Sequence, residues 1–263
     1  MSVPTPLFDF FRRGEVARDV RLLAAEGGLE TRASEQLAIL ALLATDPDPL
    51  IQETANATLS RMPVEALSAF IARRSTPEAL REFFMARGIV PAAAGDDAAE
   101  EPRIASSDDD EWKGDDEALA GLSEEERKLS VVQRLASMGF TDRLKAAVKG
   151  SREMRSILVR DPNKMIAVAV LSSPKVNDSE IESYARAANV SEDVLRVIAG
   201  NRAWTKNYSV VVALTKNAKT PLALSMNMMS RLNDRDLSVL SMDRNVPEAL
   251  RIAARKKVVS SRS

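Results

Sequence analysis

An internal repeat restricts the possible folds of this 263-residue chain more than any other feature of its sequence. Residues 46–83 align without a gap to residues 161–198, and turn, helix-cap and apolar positions fall in register. Eight positions are identical in the two segments: Asp46 and Asp161, Pro47 and Pro162, Ile51 and Ile166, Glu65 and Glu180, Ser68 and Ser183, Ala72 and Ala187, Leu80 and Leu195, and Arg81 and Arg196. The unit recurs in residues 197–224 and 242–255, with roughly 40 residues between starts, a spacing typical of helix-pair repeats.

Short segments with helix-cap signals and helical apolar spacing lie on both sides of an acidic middle. Aromatic residues are only 4% of the chain, so the core must be built from Ala, Leu, Val, Ile and Met, which suit helix packing. Helices are predicted at residues 15–25, 34–44, 49–61, 63–73, 76–88, 130–138, 141–148, 152–159, 165–171, 179–188, 191–199, 204–214, 221–232, 235–240 and 247–257. Strand-like alternation is scarce, and the sequence therefore predicts an all-α fold.

Three segments carry a resemblance to known helical repeats. LATDPDPLIQETANATL (43–59) resembles the Asp-Pro turn and following helix of HEAT repeats. ALTKNAKTPLAL (213–224) and ARRSTPEAL (72–80) resemble the turn and Thr-Pro cap of leucine-rich-repeat-variant units in bacterial helical-repeat proteins. The resemblance implies a right-handed α-solenoid of stacked helix pairs, HEAT- or armadillo-like, whose curved surface binds partners.

The charges are segregated along the chain. The net charge is -2 over residues 1–95, -12 over 96–126 and +13 over 127–263. We therefore predict an N-terminal repeat block (1–92), an acidic disordered linker (93–128), a basic repeat block (129–258) and a short tail (259–263), because the acidic segment has little apolar surface to bury. The linker is interpreted either as a solvated spacer or as a tether that contacts the basic block.

The absence of His and Cys narrows the chemistry available to the chain. It excludes disulfides, zinc, haem and iron–sulfur sites held by these residues, a Cys nucleophile and a Ser-His-Asp triad. The sequence also lacks phosphate-binding glycine motifs. We expect no catalytic residue, no metal and no cofactor, and therefore a protein that is not an enzyme.

One cluster, GNRAWTKNYS at residues 200–209, combines aromatic and basic residues. On a continuous helix, Trp204 and Tyr208 would share one face while Arg202 and Lys206 shared another. In one interpretation, the aromatic pair packs inside the repeats and the basic pair is solvated. In the other, Trp204 or Tyr208 anchors a partner and Lys206 lies at the rim of the binding site.

Basic residues recur in the loops between the predicted helices. Stacking of the repeats is expected to align them in a single ridge that binds a partner: Arg160, Lys164, Arg202, Lys206 and Arg244. Asparagines occupy the same loops at positions 163, 201 and 245, where they are expected to adopt left-handed turn geometry.

These patterns favour a protein-binding scaffold whose basic surface binds an acidic partner segment, or the chain's own acidic linker. The alternative is a helical-repeat protein that binds the phosphates of a nucleic acid through the same surface. No apolar run approaches the ~20 residues needed to span a bilayer. The N-terminal residues make a poor signal peptide, and a cytoplasmic location is expected.

Overall fold

The computed structural model describes residues 6–29, 31–92 and 124–260. Within these ranges it contains sixteen α-helices, two short 3-10 helices and no β-strand, which confirms the all-α prediction. The helices are α1 (Pro6–Arg12), α2 (Arg18–Ala25), α3 (Ala33–Leu43), α4 (Pro49–Arg61), α5 (Val64–Ala72), α6 (Glu78–Ala86), α7 (Glu124–Ser137), α8 (Phe140–Lys149), α9 (Arg152–Leu158), α10 (Lys164–Ala169), α11 (Asp178–Arg186), α12 (Glu192–Gly200), α13 (Tyr208–Lys216), α14 (Leu222–Met229), α15 (Asp234–Met242) and α16 (Glu248–Ser260).

The chain groups into two compact units. The first extends as far as Arg155 and includes Ser172–Lys175; the second comprises Ser156–Leu171 and the chain from Val176 onward. Helices α7 and α8 therefore belong to the first unit, although the sequence assigned most of them to the basic block. The predicted linker enters the structure at Glu124, where α7 begins, and the rest of it lies outside the described residues.

The caps of the two repeat segments confirm the register of the alignment. Asp46 accepts a hydrogen bond from the backbone N–H of Asp48 (2.9 Å), and Asp161 accepts one from Asn163 (2.8 Å). Asp48 and Asn163 then cap α4 and α10 with nearly identical backbone angles, φ -83°, ψ 115° and φ -80°, ψ 116°. Matching side chains therefore fold the chain in the same way at both places.

The apolar positions of the repeat also match. Ile51 and Ile166 are fully buried, and so is Leu195, while its counterpart Leu80 is 6% exposed. In each copy of the motif, these side chains are part of the buried core. Each unit carries one copy of this core.

A five-residue turn, here called the capped turn, joins helices at four places: 73–77, 187–191, 217–221 and 243–247. Its first residue is extended, with φ between -69° and -82° and ψ between 114° and 139°. Its fourth residue is β-branched and buried in every copy: Thr76, Val190, Thr220 and Val246. This β-branched side chain packs in the core, and the Pro or Ser after it directly precedes the first residue of the next helix.

Helices α12, α13 and α14 alternate in direction, because hydrogen bonds join the turns 187–191 and 217–221 at one end and the connectors 201–207 and 230–233 at the other. Helices two apart along the chain contact each other: α10 contacts α12, α11 contacts α13, and α14 contacts α16. The capped turns meet at one end of the unit, where the Asn217 side-chain amide donates to the carbonyls of Ala185 (2.8 Å) and Ala187 (3.1 Å). We call this the turn end. The connectors 201–207 and 230–233 lie at the other end, here called the connector end.

A buried carboxylate holds the first helix of the first unit in place. Glu35 on α3 is 2% exposed and accepts hydrogen bonds from the backbone N–H groups of Leu7 (2.7 Å) and Phe8 (3.3 Å). These N–H groups belong to the first turn of α1, which has no earlier carbonyl partners. Helix α1 was not predicted from the sequence. Burial raises the pKa of Glu35 to about 7, although these N–H groups act in the opposite direction.

The repeat core predicts a clear difference between two Leu→Ala substitutions. Leu195→Ala should lower the free energy of unfolding by about 2–5 kcal/mol, because it leaves a cavity at a fully buried site. Leu50→Ala is the matched control, since Leu50 is 49% exposed, and it should cost about 0.5 kcal/mol or less. Urea melts measure both, and equal losses would contradict the register described above.

The capped turn predicts opposite effects of one substitution at two equivalent positions. The Thr76 hydroxyl donates to the Phe70 carbonyl (2.6 Å), whereas the buried Thr220 hydroxyl has no hydrogen-bond partner within the described ranges. Thr220→Val should therefore stabilise the fold by about 1 kcal/mol, while Thr76→Val should destabilise it by about the same amount. Thermal melts would refute this if both changes had the same sign.

The raised pKa of Glu35 predicts a pH-dependent stability. The folded chain binds this proton more tightly than the unfolded chain, so wild-type stability should fall as pH rises from about 4.5 to about 7. Glu35→Gln keeps an oxygen acceptor for α1 but cannot ionise. Across that pH window the free energy of unfolding of the wild type should fall by roughly 1–3 kcal/mol relative to this variant, with no further loss at higher pH. Parallel pH profiles of unfolding would contradict the assignment.

Candidate interaction surface

The aromatic cluster does not lie on one continuous helix, so that prediction is wrong. Trp204–Lys206 form a 3-10 helix, and α13 starts only at Tyr208. Between them Asn207 is extended (φ -71°, ψ 118°), and its side chain accepts a hydrogen bond from the backbone N–H of Ser209 (3.0 Å). The asparagine ends one element and caps the next.

The two aromatic side chains consequently have different environments. Trp204 is 5% exposed and packs in the core, as the packing interpretation predicts for it. Tyr208 is 40% exposed. Of the two candidate anchors, only Tyr208 presents a substantial surface.

Two of the three loop asparagines, Asn163 and Asn201, do not adopt the left-handed geometry that was expected. Asn163 and Asn201 both have negative φ with ψ near 110–116°. Asn201 accepts a hydrogen bond from the N–H of Ala203 (2.9 Å), as Asn163 does from Met165 (2.9 Å). Their side chains, rather than an unusual backbone, shape these connections.

Three of the five predicted basic residues belong to the turn end. Arg160 donates to the side-chain oxygen of Asn189 (2.9 Å), and Lys164 pairs with Asp193 at 3.2 Å. Both partners lie in or just after the capped turn 187–191. Arg244 occupies the capped turn 243–247 and is exposed.

The other two basic residues, Arg202 and Lys206, lie at the connector end. The guanidinium of Arg231 donates to the carbonyl of Thr205, which ties connector 230–233 to connector 201–207. Arg160 and Lys164 contact residues at the start of α12, whereas Arg202 and Lys206 follow its end, so the length of α12 separates the two groups. The predicted single ridge is therefore wrong: the basic residues form two separate groups.

Four exposed side chains make up what we call the connector surface: Arg202, Lys206, Tyr208 and Arg231. Their elements are linked by the Arg231–Thr205 contact and by the backbone N–H of Asn233, which donates to the Tyr208 hydroxyl at 3.1 Å. Arg231 was missed in the sequence because it lies outside the aromatic cluster. The feature that could have identified Arg231 is its place in the next connector, which lies at the same end of the unit as Arg202 and Lys206.

The carboxylate of Asp236, which contacts Tyr208 of the connector surface, is held by hydrogen bonds within the unit. Asp236 accepts hydrogen bonds from the Tyr208 hydroxyl (2.7 Å) and the Lys216 ammonium (3.1 Å). These contacts, led by the Tyr208 hydroxyl, lower the pKa of Asp236. Desolvation, together with the Asp236 charge, raises the pKa of Tyr208, which therefore remains a neutral phenol at neutral pH.

The connector surface is suited to binding anions rather than to bond-making chemistry. Guanidinium and ammonium groups donate hydrogen bonds to carboxylates or phosphates, and a fixed tyrosine adds apolar contact area. Across the described part of the chain, no group of three or more acidic side chains is placed to hold a metal ion. In the same ranges, every helix is too short or too polar to cross a membrane.

Comparison with known proteins gives no match to this chain, whether against protein-family models, curated sequences or solved structures.

Proposed function

We propose that this chain is a non-enzymatic protein-binding scaffold of the cytoplasm, built as a right-handed α-solenoid of stacked helix pairs. The capped turn recurs in four copies, and helices two apart along the chain contact each other in the second unit. Both features support repeated stacking, because each pair buries its apolar side against the next.

The partner is proposed to be an acidic protein segment. The observation that carries this proposal is the connector surface, where three exposed cations and an exposed tyrosine come together while Asp236 is satisfied by other groups. The turn end is the weaker candidate, since the charge of Lys164 is already compensated by Asp193, whereas Arg231 of the connector surface contacts a neutral carbonyl.

Nucleic acid is the alternative partner. The net charge of +13 over residues 127–263 favours it, because phosphate contacts depend on total positive charge. The connector surface has only one exposed aromatic ring on which a base could stack, which favours the protein partner. The acidic segment 96–120 is a further candidate, as an intramolecular competitor for the same cations.

A polyglutamate peptide and a random-sequence duplex DNA are the probes for the full-length chain. At low salt the peptide should bind the wild type, and binding should weaken as salt is raised because the contacts are exposed. Single exposed pairs contribute only ~0–1 kcal/mol, so the variant should carry three reversals: Arg202→Glu, Lys206→Glu and Arg231→Glu. We expect at least about tenfold weaker peptide binding.

The matched control reverses the turn end instead, with Arg160→Glu, Lys164→Glu and Arg244→Glu. It changes net charge equally and should retain most of the peptide binding, and thermal melts establish that both variants are folded. If both variants lose peptide binding equally, net charge alone explains the effect and the proposed site is wrong. Tighter binding of DNA than of peptide would favour the nucleic-acid alternative. Deletion of residues 96–120 should strengthen peptide binding if that segment competes for the connector surface.

A further inference from the structure

The first unit contains an apolar groove with a volume of about 340 Å³. One face of α3, including Ala38, Ala41 and Leu42, forms its floor. Phenylalanines from α1, α5 and α6 line it further: Phe8, Phe70 and Phe83. Helix α3 is apolar on nearly every side, so the face that is not buried in the core is left in this groove.

Two arginines lie beside the groove, one directly after α5 and one directly after α6. Arg73 is the one charged side chain among the described lining residues. The guanidinium of Arg87, the C-cap of α6, lies 4.2 Å from the centre of the Phe83 ring, which lines the groove. The C-caps of α5 and α6 therefore place positive charge beside a mostly apolar surface.

We infer that this groove binds a short amphipathic helix of a partner protein, with apolar side chains on α3 and carboxylates facing Arg73 and Arg87. The inference is independent of the proposed function, which concerns the second unit. Charge complementarity selects this occupant, because an apolar surface flanked by two cations favours an apolar segment with acidic ends.

The dimensions of the groove agree with this occupant. The lining residues on α3 run from Ser34 to Leu42, a rise of about 12 Å, which corresponds to about two turns of a helix. Apolar side chains at positions i, i+3 or i+4, and i+7 of the partner would cover that length. The small side chains of Ala38 and Ala41 leave room for bulky residues from the partner.

Two peptides test the inference on the full-length protein. One is a synthetic amphipathic helix of leucine and alanine with glutamates at both ends, and the other carries lysines in place of the glutamates. The glutamate peptide should bind by titration calorimetry at least about tenfold more tightly than the lysine peptide. Ala41→Trp should abolish binding by filling the groove, and Arg73→Glu should reverse the preference between the two peptides.

Two control variants separate the groove from general effects. Arg74→Glu changes the same charge on an exposed neighbour that does not line the groove, and Ala57→Trp adds the same bulk to an exposed site on α4. Both should bind the glutamate peptide as the wild type does. Equal binding of the two peptides, or loss of binding in the controls as well, would overturn the proposal. Binding that occurs only after deletion of residues 96–120 would also overturn it, because the chain itself would then occupy the groove.

Discussion

The structure depends on a short-range hydrogen bond in which an Asp or Asn side chain accepts the backbone N–H two residues later. At residues 46, 161, 201, 217 and 243 it follows the end of a helix. At residues 48, 163 and 207 it caps the start of the next helix. The residues after a helix have backbone N–H groups without a helical partner, and a side-chain oxygen that accepts one of them allows the chain to turn sharply there. Many short helices can therefore be packed at close spacing.

This short-range hydrogen bond explains which parts of the fold could be predicted from the sequence. Helix α4 was predicted with its observed bounds, because Asp48 and Pro49 mark its start and an apolar spacing marks its length. The break before α13 was missed because Asn207 lies in a segment of otherwise helical residues. Helix α1 was missed because the residue that holds it, Glu35, is distant in sequence and belongs to another helix.

The candidate site was less predictable than the fold. Apart from Arg231, the basic and aromatic residues of the interaction surface were identified from the sequence. Which of them lie together depends on the directions of the helices between them, and the spacing of residues along the sequence does not give those directions. Arg202 and Lys206 were assigned to the same ridge as Arg160, although the contacts of Arg231 and Asn189 place them at opposite ends. The packing interpretation predicted the burial of Trp204, but the separation of Trp204 from the exposed Tyr208 depends on the extended backbone of Asn207 between them.

Because helix direction alternates, the number of helices between two connectors decides whether they lie at the same end of the second unit. Two connectors lie at the same end only if an even number of helices separates them. Duplication of a helix pair would add another capped turn while every later connector kept its end. Insertion of a single helix would transfer every later connector to the opposite end, even though each helix and turn kept its own sequence. Variation in the length of this chain is therefore expected to proceed in pairs of helices wherever the arrangement of its surface charges must be preserved.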